Sequence, residues 1–128
     1  MKGFVMKRDP VGKYILDGHT PVPEPDTLKW ARWFEDNGAT RHVADTQIAG
    51  IRISTVFLAL DHSFSDGPPE LFETMIFGGK LSEQQRRYTT WGQAAAGHRA
   101  MCRRVVRSIT ENLMTERSNN GASVSVDE

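Results

Sequence analysis

The chain has 128 residues and a mass of 14.4 kDa, the size of one ordinary domain, with 38% hydrophobic and 25% charged residues. Sixteen basic and sixteen acidic residues cancel, which argues against a sequence-blind binder of nucleic-acid polymers, since such proteins carry a basic excess. The single Cys102 cannot form an internal disulfide, the longest apolar run (Val56 to Leu60) is far short of the ~20 residues of a bilayer span, and Met1-Lys2-Gly3-Phe4 lacks a signal-peptide core; the expectation is a cytoplasmic protein with no membrane contact.

The first elements are short. Phe4-Val5-Met6 and Tyr14-Ile15-Leu16 flank Asp9-Pro10-Val11-Gly12, whose turn chemistry predicts a β-hairpin. The prolines of Gly18-His19-Thr20-Pro21-Val22-Pro23-Glu24-Pro25 then argue against a helix or a central strand. Asp26 is placed to cap a helix running through Leu28, Ala31 and Phe34, with Asn37-Gly38 as its stop. Trp30 and Trp33 give that helix a wide apolar flank, suited to packing on a sheet or a neighbouring subunit.

His42 to Gln47 and Ile51 to Leu60 read as two strands around Ile48-Ala49-Gly50. Asp66-Gly67-Pro68-Pro69 turns the following loop, Leu71 to Phe77 is a further strand ended by Gly78-Gly79, and Gln85 to Thr89 is the returning strand. In the strand from Leu71, Phe72, Thr74 and Ile76 share one face, opposite Leu71, Glu73, Met75 and Phe77; Phe77 reads as core. Thr90-Trp91-Gly92-Gln93 has capping-box spacing. Behind it, Trp91, Ala95, His98, Cys102, Val105, Ile109 and Leu113 recur at helical spacing and predict one buried face. The whole predicts an α+β fold: a small antiparallel β-sheet or sheets, one short N-terminal helix and one long C-terminal helix. Residues 1–117 form a single ligand-binding domain, and 118–128 form a polar, flexible tail.

Charge is balanced in total but not in distribution. Asp61 to Glu73 holds four acidic residues and no lysine or arginine, whereas Glu83 to Thr110 holds six arginines against Glu83 alone. Arginine without lysine suits bidentate contact to phosphate or carboxylate, although a solvated face paired with acidic loops explains the same run. Arg99 and Arg103 lie one turn apart beside the buried stripe, where their stems would pack while both heads converge on one anion. Phe72 would stack a base beside them; the plainer role for it is core. Asp61-His62-Ser63-Phe64-Ser65-Asp66 contains residues suited to metal binding or acid–base work, but it matches no tight metal spacing, and turn capping accounts for it. There is no Gly-x-Ser-x-Gly elbow, Cys102 sits on the buried stripe, and Gly78-Gly79-Lys80 lacks phosphate-loop spacing. No cofactor or metal is expected.

Thr55-Val-Phe-Leu-Ala-Leu-Asp-His-Ser-Phe64, the strand Leu71-Phe-Glu-Thr-Met-Ile-Phe-Gly-Gly79, Arg87-Tyr-Thr-Thr-Trp91 and Gly97-His-Arg-Ala-Met-Cys102 resemble a family of small phage and prophage proteins that share these blocks. In layout, that family resembles the phage anti-Thoeris proteins of the first type. Those are signal sponges that hold cyclic ADP-ribose isomers, and in some members cyclic oligonucleotides, without cleaving them, and they assemble as dimers and hexamers. The resemblance implies a homo-oligomeric, non-enzymatic anti-defence protein that binds a cyclic nucleotide signal in the infected cell. Its pattern of a strand phenylalanine followed by two arginines four apart falls on Phe72, Arg99 and Arg103; the pattern does not extend to the rest of the pocket, for which Asp61, Thr74 and Ser82 are the candidate polar contacts. Two other classes remain: an enzyme degrading a nucleotide signal with Asp61, His62 and Asp66 at its centre, and a module blocking a host defence protein through the tryptophan helix.

Overall fold

A computed structural model describes residues 12–63 and 66–126, and the side chains up to 119. Its elements in chain order are β1 (Tyr14–Asp17), β2 (Thr20–Pro23), α1 (Thr27–Asp36), β3 (His42–Ile48), β4 (Ile51–Phe57), β5 (Phe72–Phe77), β6 (Gln85–Tyr88) and α2 (Trp91–Val126). The fold is α+β, with two antiparallel sheets, a short first helix and a long last one. β1 and β2 form a two-stranded ribbon, and β3-β4-β5-β6 form a four-stranded meander.

The hairpin expected around Asp9 to Gly12, with its Phe4-Val5-Met6 strand, falls largely outside the described residues. The ribbon that is described pairs Tyr14–Asp17 forward with the proline-containing segment, in the register Tyr14↔Pro23 and Leu16↔Pro21. The Tyr14 N–H points away from β2 and donates to the Ala59 carbonyl at 2.9 Å. Tyr14↔Pro23 is therefore a non-hydrogen-bonded pair. Pro21, of the same parity, also sits where no ladder donor is needed, so a two-stranded ribbon tolerates both prolines.

In α1, Asp26 Oδ1 accepts from the Leu28 and Lys29 N–H groups, and Asn37 closes the C-terminus, as the sequence predicts. The helix is anchored rather than sunk: no residue in it is fully buried. Trp30 Nε1 donates to the Tyr14 and Ala59 carbonyls, and the Trp33 ring meets Phe57 edge-on. Ala49 and Gly50 both have positive φ between β3 and β4, the handedness that suits a two-residue hairpin turn.

α2 covers one face of the meander. That face carries Ile51, Ile53, Thr55 and Phe57 from β4 and Phe72, Thr74 and Ile76 from β5, all buried. They meet Ala94, His98, Met101 and Val105 of α2 in two apolar clusters, one around Phe57, Phe72 and Tyr88, the other around Ile53, Ile76 and Met101. Polar groups stand at the seam between the clusters. His98 Nδ1 hydrogen-bonds Thr55 Oγ1 at 2.7 Å, its Nε2 meets Thr46 Oγ1 at 2.8 Å, and Thr55 joins Thr74 at 2.5 Å.

The buried stripe of α2 is rotated from the expected one. Ala94 and Met101 are buried, Cys102 is half-buried, and Leu113 is 59% exposed because α2 has by then passed the sheet. The helix runs through Val126. Phe77, expected in the core, is 44% exposed on the other sheet face, beneath the Arg52 guanidinium. That face also carries the Arg52–Asp45 and Arg87–Glu73 pairs. No described helix is long and apolar enough to cross a membrane.

Candidate functional site

The residues expected to build a ligand pocket are dispersed by the fold. Phe72 is wholly buried, wedged between Phe57 and the edge of Trp91 (ring centroids 5.2 and 6.1 Å away), so its ring has no face for a base. Thr74 is equally buried, with its hydroxyl spent on Thr55. Asp61 Oδ1 accepts from the Ser63 and Glu70 N–H groups, and Ser82 Oγ accepts from Gly78 N–H; both are turn-holding contacts. Arg99 and Arg103 are exposed on α2 and make no ion pair among the described residues. At ~100° per residue, both point away from the buried stripe of Ala94, His98, Met101 and Val105, on the outer side of the helix. The structure thus does not bring Phe72, Thr74, Asp61 and Ser82 to the two arginines.

A cleft of about 560 Å³ lies where α2 crosses the β6 edge of the sheet. Its volume falls within the ~300–1,000 Å³ typical of small-molecule sites. Arg86, Arg87, Tyr88 and Thr89 line it from the strand, Gln93, Ala96, Gly97 and Ala100 from the helix, and Pro68 and Glu70 from the preceding loop. Small residues on the helix create the space. A Cβ on Gly97 would collide with the Tyr88 ring, so glycine is what lets this ring lie flat against the helix as the floor.

Arg86, paired with Thr74 across the ladder, is on the α2 side of the sheet, exposed and with no ion-pair partner among the described residues, while Arg87 turns its guanidinium to the other face, where Nε donates to Glu73 Oε2 at 3.1 Å. Gln93 completes the predicted capping box: its N–H donates to Thr90 Oγ1, and its Oε1 accepts from the Thr89 and Thr90 N–H groups. Its amide nitrogen makes no hydrogen bond among the described residues. The Tyr88 hydroxyl is buried with no hydrogen-bond partner among the described residues, a state that costs about 1–3 kcal/mol. Arg86 and Arg87 stand out in the sequence as part of the arginine cluster; Tyr88, Gln93 and Gly97 carry no signal of a site until β6 and α2 are packed together.

A second cleft, about 290 Å³, adjoins the first at Thr89 and is mostly apolar. Outside the clefts, the clearest electrostatic effects are structural. Hydrogen bonding from Arg52 holds the Asp45 carboxyl below its usual range, and burial pushes His98 below the ordinary histidine value. Among the described residues, no three His, Cys, Asp or Glu side chains gather as metal ligands. No protein-family model, curated protein or solved structure matches the chain.

Proposed function

We propose that the protein binds and sequesters a cyclic nucleotide immune signal without cleaving it, as the phage sponge proteins it resembles do, in the cytoplasm of an infected bacterium. The site proposed is the β6–α2 cleft rather than a pocket built on Phe72. The observation that carries this reading is the convergence in one cleft of the Gln93 amide and of Arg86, which has no ion pair among the described residues, beside the Tyr88 ring. A guanidinium presents paired donors to a phosphate. Glu70, on the rim, is an acceptor for sugar hydroxyls and disfavours a dense polyphosphate. The lining contains no histidine, cysteine or serine. Such a cleft suits ground-state binding better than turnover, which needs groups that act on the transition state.

Arg86→Glu tests the placement. Titration calorimetry with cyclic ADP-ribose isomers and cyclic dinucleotides should show binding by the wild type and by Arg99→Glu, and loss of at least ~10-fold in affinity for Arg86→Glu. Full affinity in Arg86→Glu with loss in Arg99→Glu or Arg103→Glu would move the site to the outer face of α2. The homo-oligomer that the resemblance implies belongs to the same proposal. Val106, Leu113 and Met114, exposed where α2 leaves the sheet, are apolar surface that a second copy would cover.

A further inference from the structure

We infer that the apolar cleft beside the start of α2 is the subsite for a purine base of the ligand, and that the His19 imidazole holds the base's place in the unliganded protein. The inference rests on the nucleotide-binding reading above and names the part of the site that reading leaves open.

The cleft is about 290 Å³, and Pro21, Pro69, Leu71 and Trp91 supply apolar walls for it. It is continuous in the fold with the arginine cleft: Thr89 lines both, and the consecutive Pro68 and Pro69 line one each. An apolar chamber joined to a polar one, whose Arg86 guanidinium has no ion pair among the described residues, matches the two ends of a nucleotide, a flat base and a phosphate.

The geometry at Trp91 supplies the second argument. His19 and Trp91 stack with ring centroids 3.7 Å apart and planes 2° from parallel. Trp91 is braced by the core, because the buried Phe72 ring meets it at 86°. His19, by contrast, sits exposed in the turn joining β1 and β2, and its ring makes no hydrogen bond among the described residues. A planar heterocycle is thus already held on a rigid indole face by stacking alone. A bicyclic purine overlaps more of that face than an imidazole does and would displace it, with His19 swinging outward on its turn. The 3.7 Å spacing leaves no room for a base between the rings, so displacement, not a sandwich, is the mode of entry.

Calorimetric titration of the full chain with cyclic diadenylate and with cyclic ADP-ribose tests this. Trp91→Leu should weaken binding ~10-fold, the range expected for a lost base–aromatic stack. His19→Ala should tighten it severalfold, an effect that a merely structural histidine would not give. His19 is exposed, so that variant keeps the test open even if Trp91→Leu fails to fold. Wild-type affinity or weaker binding in His19→Ala would overturn the placeholder, and wild-type affinity in a folded Trp91→Leu would overturn the subsite, both with the nucleotide-binding reading intact. No binding of either probe by the wild type would remove that reading and the subsite with it.

Discussion

The two faces of β5 carry nearly equal apolar content, Phe72, Thr74 and Ile76 against Leu71, Met75 and Phe77, and alternation alone does not say which of them α2 covers. Packing decides it. α2 lies on the Phe72 side, which makes Phe72 core and leaves Phe77 outside. His98 illustrates the converse. Among histidines scattered along the sequence it has no visible partner, yet the fold places Thr46 and Thr55 on its two ring nitrogens. Its pKa is lowered, first by burial and further by Arg99, against an opposing pull from Asp45. The folded state therefore prefers the neutral ring, and the unfolded chain, titrating near 6.5, binds more protons as pH falls. Stability should drop as pH is lowered through 6.5 and below, with full stability above it. Urea midpoints measured between pH 7.5 and 5.5 check this. His98→Gln should be less stable at pH 7.5, by about 1–3 kcal/mol for its disturbed hydrogen bonds, and should show a flatter pH dependence. An equally steep profile in that variant would assign the effect elsewhere.

At the scale of elements, α1 and the strands of the meander were legible because caps and alternation act locally. Asp26 caps α1 and Asn37 ends it where those residues stand in the sequence. What local patterns could not supply was pairing across distance. β2 is a strand because Pro21 and Pro23 share the parity that spares the ladder, a property of register rather than of composition. The face of α2 was likewise misplaced by part of a turn, since Ala94 and Met101 are as apolar as Ala95 and Cys102 and only contact distinguishes them. Gly97 follows from the corrected face. In a solvated helix Gly→Ala gains about 1 kcal/mol; here a methyl would strike Tyr88. Overpacking of that kind costs about 1–3 kcal/mol, so Gly97→Ala should be destabilised in chemical denaturation despite its better helix propensity. A variant at least as stable as wild type would show that Tyr88 does not need this seat.

Over the whole molecule, chemistry was less legible than architecture. The arginine cluster is visible as composition, but its division between the outer face of α2 and the β6 edge depends on how helix and sheet cross. The same crossing creates the cleft, joins it to the His19–Trp91 chamber and leaves Leu113 and Met114 uncovered. Light scattering at micromolar concentration should therefore return a dimer or larger assembly, and a single 14.4 kDa species would contradict the proposed oligomer. The central claim, capture without conversion, is tested most directly by release. Protein is incubated with cyclic ADP-ribose isomers and cyclic di- and trinucleotides, freed of unbound ligand and heat-denatured, and the supernatant is read by mass spectrometry. The account predicts one intact cyclic nucleotide from the wild type and none from Arg86→Glu. A linear or hydrolysed product, or an empty supernatant from the wild type, would contradict it.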